Sequence, residues 1–107
     1  MQQITAVALA EWLADRTRPT PVLLDVREDW EFRLCHIPGS VHIPMHEIPT
    51  RLNDIEDDME TVVICHHGMR SMQVALFLQR AGFNHVINLQ GGVDAWAREV
   101  DPNMATY

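Results

Sequence analysis

Three short apolar runs constrain this chain more than any other feature: Val22-Leu23-Leu24-Asp25-Val26, Thr61-Val62-Val63-Ile64-Cys65 and Val86-Ile87-Asn88-Leu89. The first is continuous apart from one acid, which suits a strand buried on both faces, as parallel strands are. The second is a β-branched run, the clearest strand in the sequence. Segments with helical character separate them. Thr5 can cap a helix over residues 6–16, with Leu9, Trp12 and Leu13 spaced to share its buried face. Residues 28–34 fit a short helix that turns Trp30 or Phe32 inward, and 45–55 is weakly helical. Val41-His42-Ile43 reads as a further short strand. Ser71 to Ala81 is the clearest helix, with Gly82 as its stop, and Gly91-Gly92 turns into a short helix carrying Trp96. Strands alternating with helices predict an α/β domain built on a mostly parallel sheet.

The chain has 107 residues, enough for one domain over 1–107 with a core that needs no metal or disulfide. Eight basic and fifteen acidic residues give a net charge of −7, which argues against nucleic-acid binding. Every basic residue is Arg, so Schiff-base lysine chemistry and lysine phosphate loops are excluded. The first residues show no charged segment followed by an apolar one, and no apolar run approaches a membrane span. With two Cys only, these features predict a reducing, cytoplasmic setting with no membrane association.

In parallel sheets ligands sit beyond the carboxyl ends of the strands. That rule points to Cys65-His66-His67-Gly68-Met69-Arg70-Ser71, which joins the clearest strand to the clearest helix. A tight loop of this kind can turn its amides inward as an anion-binding concavity, and the helix N-terminus adds partial positive charge. A Cys at its mouth is favoured as a thiolate nucleophile. Gly68 tolerates backbone angles that a Cβ resists. Arg70 supplies a permanent planar charge able to grip an oxyanion. His66, His67 and Met69 read as loop walls that contribute backbone amides. The loop therefore suits a sulfur nucleophile acting on an anionic substrate. Four residues separate Cys65 from Arg70, a small ring better fitted to a terminal sulfur than to a phosphoryl group.

These residues resemble the rhodanese-like sulfurtransferases along essentially the whole chain. Asp25-Val26-Arg27-Glu28 is similar to the family's Asp-x-Arg segment. Phe32 to Ser40 resembles its upstream signature, in which His-aliphatic-Pro-Gly follows an aromatic residue and three variable ones. Cys65 to Arg70 matches the six-residue active loop, and Leu89 to Trp96 the Gly-Gly turn and Trp helix. The resemblance implies a five-stranded mostly parallel sheet flanked by helices on both faces. It implies a persulfide on Cys65, taken from thiosulfate or a persulfide donor and passed to cyanide, a thiol, or a thioredoxin-like or other protein acceptor. Residues 66 to 71 would form the persulfide-binding loop, with Arg70 orienting the donor, and neither a cofactor nor a metal is implied. A sulfur-carrier or interaction module of the same fold is the alternative. A thiol phosphatase or arsenate reductase is disfavoured, because phosphatases of this fold carry a loop one residue longer.

Cys35 stands where the family usually has Gly, so that turn is expected to be strained or rebuilt. Cys35 is also a candidate resolving thiol for Cys65, although unpaired cysteines are the rule in a reducing compartment. Asp25, Arg27 and His36 read as structural, with Arg27 a candidate for positioning the loop. The Cys and His spacings match no zinc motif.

Overall fold

The computed structural model describes all 107 residues. Five strands, β1 (Gln3–Ile4), β2 (Val22–Asp25), β3 (Val41–His42), β4 (Thr61–Ile64) and β5 (Val86–Leu89), form one sheet in the order β1-β5-β4-β2-β3. Every pairing is parallel. The helices are α1 (Ala6–Ala14), α2 (Asp29–Leu34), α3 (Met69–Arg80) and α4 (Gly92–Glu99).

Side chains alternate across the strands and build a core on each face. On one face Leu23, Val62, Ile64, Ile87 and Leu89 pack with Leu9 and Trp12 of α1 and with Val93 and Trp96 of α4. On the other, Leu24, Val63, Cys65 and Val86 pack with Val74, Ala75 and Leu78 of α3. The five-stranded parallel sheet and the helices on both faces thus follow from the continuous apolar runs.

Local chemistry moved several boundaries. Helix α1 stops at Ala14 rather than Arg16, because the Asp15 carboxylate accepts from both the amide and the hydroxyl of Thr17 and closes a turn. Helix α3 starts at Met69, two residues early, because Gly68 takes the left-handed conformation (φ 100°) and serves as its N-cap. The weakly helical stretch is two 3-10 segments, Met45–Thr50 and Leu52–Asp54, the first containing Pro49. In α2 the inward residue is Glu31, not Trp30 or Phe32, and Trp30 is 55% exposed. A carboxylate lies inside because it has charged partners there. Cys35 is extended (φ −163°) and no residue other than Gly has positive φ, so the Gly-to-Cys departure introduces no backbone strain.

Candidate active site

Strand β4 ends at Ile64, and Cys65 is the next residue, on the α3 face of the sheet. The Gly-Gly turn fixes the loop that follows. The amides of Val93 and Asp94, at the start of α4, donate to the carbonyls of Cys65 and His66 at 2.9 and 3.0 Å. Gly92 passes so close that a Cβ there would collide with the Cys65 and His66 carbonyl oxygens. Two segments distant in sequence are thereby locked together at the carboxyl ends of β4 and β5.

The Gly68 amide donates to Cys65 Sγ at 3.0 Å. Ser71 Oγ lies 3.2 Å from the sulfur. Sγ therefore sits at the N-terminal end of α3, where helix amides add positive potential. Cys65 itself is only 1% exposed and Ser71 is fully buried. Met69 forms an exposed rim, and His67 lies open to solvent. Both cysteines are free thiols. Cys35 is engaged elsewhere: Arg27 Nη2 donates to its carbonyl at 2.6 Å, and Nη1 approaches its sulfur at 3.8 Å.

Arg70 does not reach toward the sulfur. Its guanidinium grips the Glu31 carboxylate, Nη1 to Oε1 at 2.7 Å and Nη2 to Oε2 at 2.8 Å. The Tyr107 hydroxyl donates to Glu31 Oε2 at 2.6 Å and accepts from Arg27 Nη1 at 3.0 Å. Its ring stacks on His66 at 3.9 Å between centroids, and Trp30 meets it edge-on. Behind this cluster Arg27 is buried against Asp25, with Nη2 to Oδ2 at 2.7 Å, and it also donates to the Glu31 carbonyl. Arg27 is thus structural as expected, and its hydroxyl partner ties the chain's last turn to the site.

The charges here are set by these contacts. Arg70 holds the Glu31 carboxyl down to about 2, against the opposing effect of burial and with help from the Tyr107 hydroxyl. Glu31 in turn fixes the Arg70 charge. Burial, then the adjoining Glu31 carboxylate, pushes the Tyr107 phenol up. Burial and the neighbouring His67 push the His66 imidazole down, so it is neutral near pH 7. His66, His67 and Asp94 make the nearest approach to a ligand set, within 4.8 Å of one another. Asp94 there is already paired with the Arg98 cation at 3.2 Å.

The sequence points to residues 65 to 71 as the candidate site, and the structure places Glu31, Asn88 and Tyr107 beside that loop, none of them singled out by the sequence. Asn88 carried a legible signal, as the one polar residue in the last apolar run. Glu31 and Tyr107 carried none.

The profile described as a rhodanese-like domain matches residues 9–99. The chain is 36% identical over 105 residues to a protein of Allochromatium vinosum named sulfurtransferase, covering 98% of this chain and 96% of that one. It is 39% identical over 75 residues to the thiosulfate sulfurtransferase GlpE of Pseudomonas syringae pv. syringae, 70% of this chain and 71% of that one. Among solved structures, SSP1007 of Staphylococcus saprophyticus superposes with a TM-score of 0.85 at 37% identity, covering 94% of this chain and 97% of that one.

Proposed function

The chain belongs to the rhodanese-like domain family, and from that premise we propose that it is a thiosulfate-type sulfurtransferase acting through Cys65. The observation that carries the reading is the sulfur at the N-terminal end of α3, with the Gly68 amide donating to it. An amide and a helix terminus there stabilise negative charge on sulfur in either the thiolate or the persulfide.

In the reaction the Cys65 thiolate attacks the outer sulfur of thiosulfate. A new S–S bond forms, the old one breaks, and sulfite leaves with its electron pair. An acceptor nucleophile such as cyanide or a thiolate then attacks the terminal sulfur, and Cys65 departs as thiolate. This is two-step covalent catalysis. The amides of residues 66 to 70 would cradle the terminal sulfur, and Arg70, once released from Glu31, would hold the anionic donor. Small sulfur anions and thiol acceptors, including a thioredoxin-like protein, are the partners this chemistry requires. The unit proposed to carry the activity is a single domain over residues 1–107, and a reducing compartment would keep Cys65 competent.

A second reading is a persulfide carrier that exchanges sulfur with a protein partner. The near-complete burial of Cys65 and the neutralisation of Arg70 by Glu31 favour it, because both disfavour a free small anion.

Thiocyanate formation from thiosulfate and cyanide, combined with mass spectrometry of the Cys65 peptide, tests both readings. The enzyme reading expects turnover and one added sulfur, both abolished in Cys65→Ala. Sulfur loading from a protein persulfide with negligible small-donor turnover selects the carrier. Equal turnover by Cys65→Ala eliminates both.

A further inference from the structure

The hydrogen bonds around Cys65 run from its sulfur through Ser71 to Asn88. Asn88 lies on β5, beside Val63 in the sheet register, and is 1% exposed. Its side chain faces the Gly68 carbonyl at 3.1 Å. A carbonyl oxygen only accepts, so the Asn88 atom there is Nδ2, which also donates to Gln3 Oε1 at 3.1 Å. Oδ1 is therefore the atom turned toward Ser71, and it can only accept. The Ser71 hydroxyl has one proton, and at 2.5 Å it gives that proton to Asn88 Oδ1. With its proton given to Asn88, Ser71 Oγ has only lone pairs to offer Cys65 Sγ at 3.2 Å, an arrangement that suits a thiol better than a thiolate.

We propose that Asn88 is a positioning residue that acts through the Ser71 hydroxyl to favour the thiol form of Cys65 over the thiolate. When Cys65 gives its proton to solvent base, the Ser71 O–H turns from Asn88 Oδ1 to Sγ. No covalent bond changes except the S–H that breaks. The rotation leaves a buried Asn88 oxygen without a donor, and this opposes the thiolate. A persulfide carries its charge on the outer sulfur, so Sγ no longer needs the Ser71 proton and the hydroxyl returns to Asn88. The network therefore favours the two states in which Sγ is uncharged. The inference rests on Cys65 being the nucleophile of the proposed reaction.

Other charged groups surround the loop. Arg70 from α3 acts on Cys65 but is neutralised by Glu31 of α2. His66 and His67 lie on the loop, Asp94 on α4 and Tyr107 on the tail, while the Asp25–Arg27 pair beyond β2 is internally balanced. None of them bonds to Asn88 or Ser71.

The test is the pH dependence of Cys65 alkylation by iodoacetamide in the full chain, with Cys35→Ser as background. It needs no sulfur donor, so its outcome is separate from that of the turnover assay. Asn88→Leu frees the Ser71 proton for the thiolate, and the alkylation midpoint falls by about one pH unit, or roughly tenfold in rate below the midpoint. In a Ser71→Ala background the same substitution leaves the midpoint unmoved. An equal shift in both backgrounds, or none in either, overturns the proposal, since a merely structural Asn88 would not depend on Ser71. A measurement without substitution at Asn88 covers failure of that variant to fold. In the wild-type protein the Asn88 side-chain carbonyl carbon should titrate with the Cys65 Cβ in NMR, and in Ser71→Ala it should not. A wild-type Asn88 carbon that stays fixed while Cys65 titrates overturns it equally.

Discussion

Arg70 and Glu31 are joined by two parallel hydrogen bonds, Nη1 to Oε1 at 2.7 Å and Nη2 to Oε2 at 2.8 Å. The cation at the end of the Cys65 loop is therefore satisfied within the protein, across 39 positions of sequence. Any anion that uses Arg70 must compete with a fixed, bidentate carboxylate.

Glu31→Gln removes that competitor's charge. The KM for thiosulfate should fall roughly fivefold, the scale of one weakened charge-assisted hydrogen bond, while Arg70→Ala should raise it. Steady-state kinetics with thiosulfate varied at saturating cyanide reads both. An unchanged KM in both variants would place the donor away from Arg70.

The same pair gives the fold a definite pH dependence. Glu31 titrates at about 2 in the folded protein, below the ordinary 4.5. A lowered folded value means the stabilisation is fully present above pH 4.5 and is lost as pH falls toward about 2. At neutral pH it is worth about 2–3 kcal/mol, after discounting for solvent around the half-exposed Arg70. Urea unfolding of wild type and Glu31→Gln should therefore differ at pH 7 and converge near pH 2. A constant gap across that range would show that the charge is not its source.

Gly92 is where α4 meets the Cys65 loop. Its φ is +58°, and a Cβ would strike the Cys65 and His66 carbonyls. Gly92→Ala should cost about 2–4 kcal/mol and displace the loop, with loss of activity exceeding what unfolding explains. Thermal unfolding alongside assay of the folded fraction separates the two effects.

Tyr107 packs against the Cys65 loop from the tail, with its ring on His66 and its hydroxyl between Glu31 and Arg27. Tyr107→Phe loses both hydroxyl contacts, so local opening becomes easier. Cys65 alkylation should quicken by about tenfold at every pH, with its midpoint unmoved. An unchanged rate would mean that the sulfur is reached by another route.

The strands and the loop were legible because their determinants are local. Val22–Asp25, Thr61–Ile64 and Val86–Leu89 follow from continuous apolar runs, and the Cys65 to Arg70 loop follows from Gly68 between a strand and a helix. Helix ends were less legible. A side chain such as Asp15, bonding to Thr17, can stop a helix that apolar spacing alone would continue.

The sequence by itself determined which sulfur stands at a helix N-terminus and which cation lies one turn beyond it, since chain connectivity fixes both. The tertiary structure alone decided that Arg70 would meet Glu31, that Tyr107 would cover His66, and that Asn88 would direct the Ser71 proton. Those partners come from α2, the C-terminal tail and β5, and only the packing of helices on a finished sheet brings them within hydrogen-bond reach. A hydrogen bond depends on angle and distance to a few tenths of an ångström, and sequence spacing carries no such information across a fold.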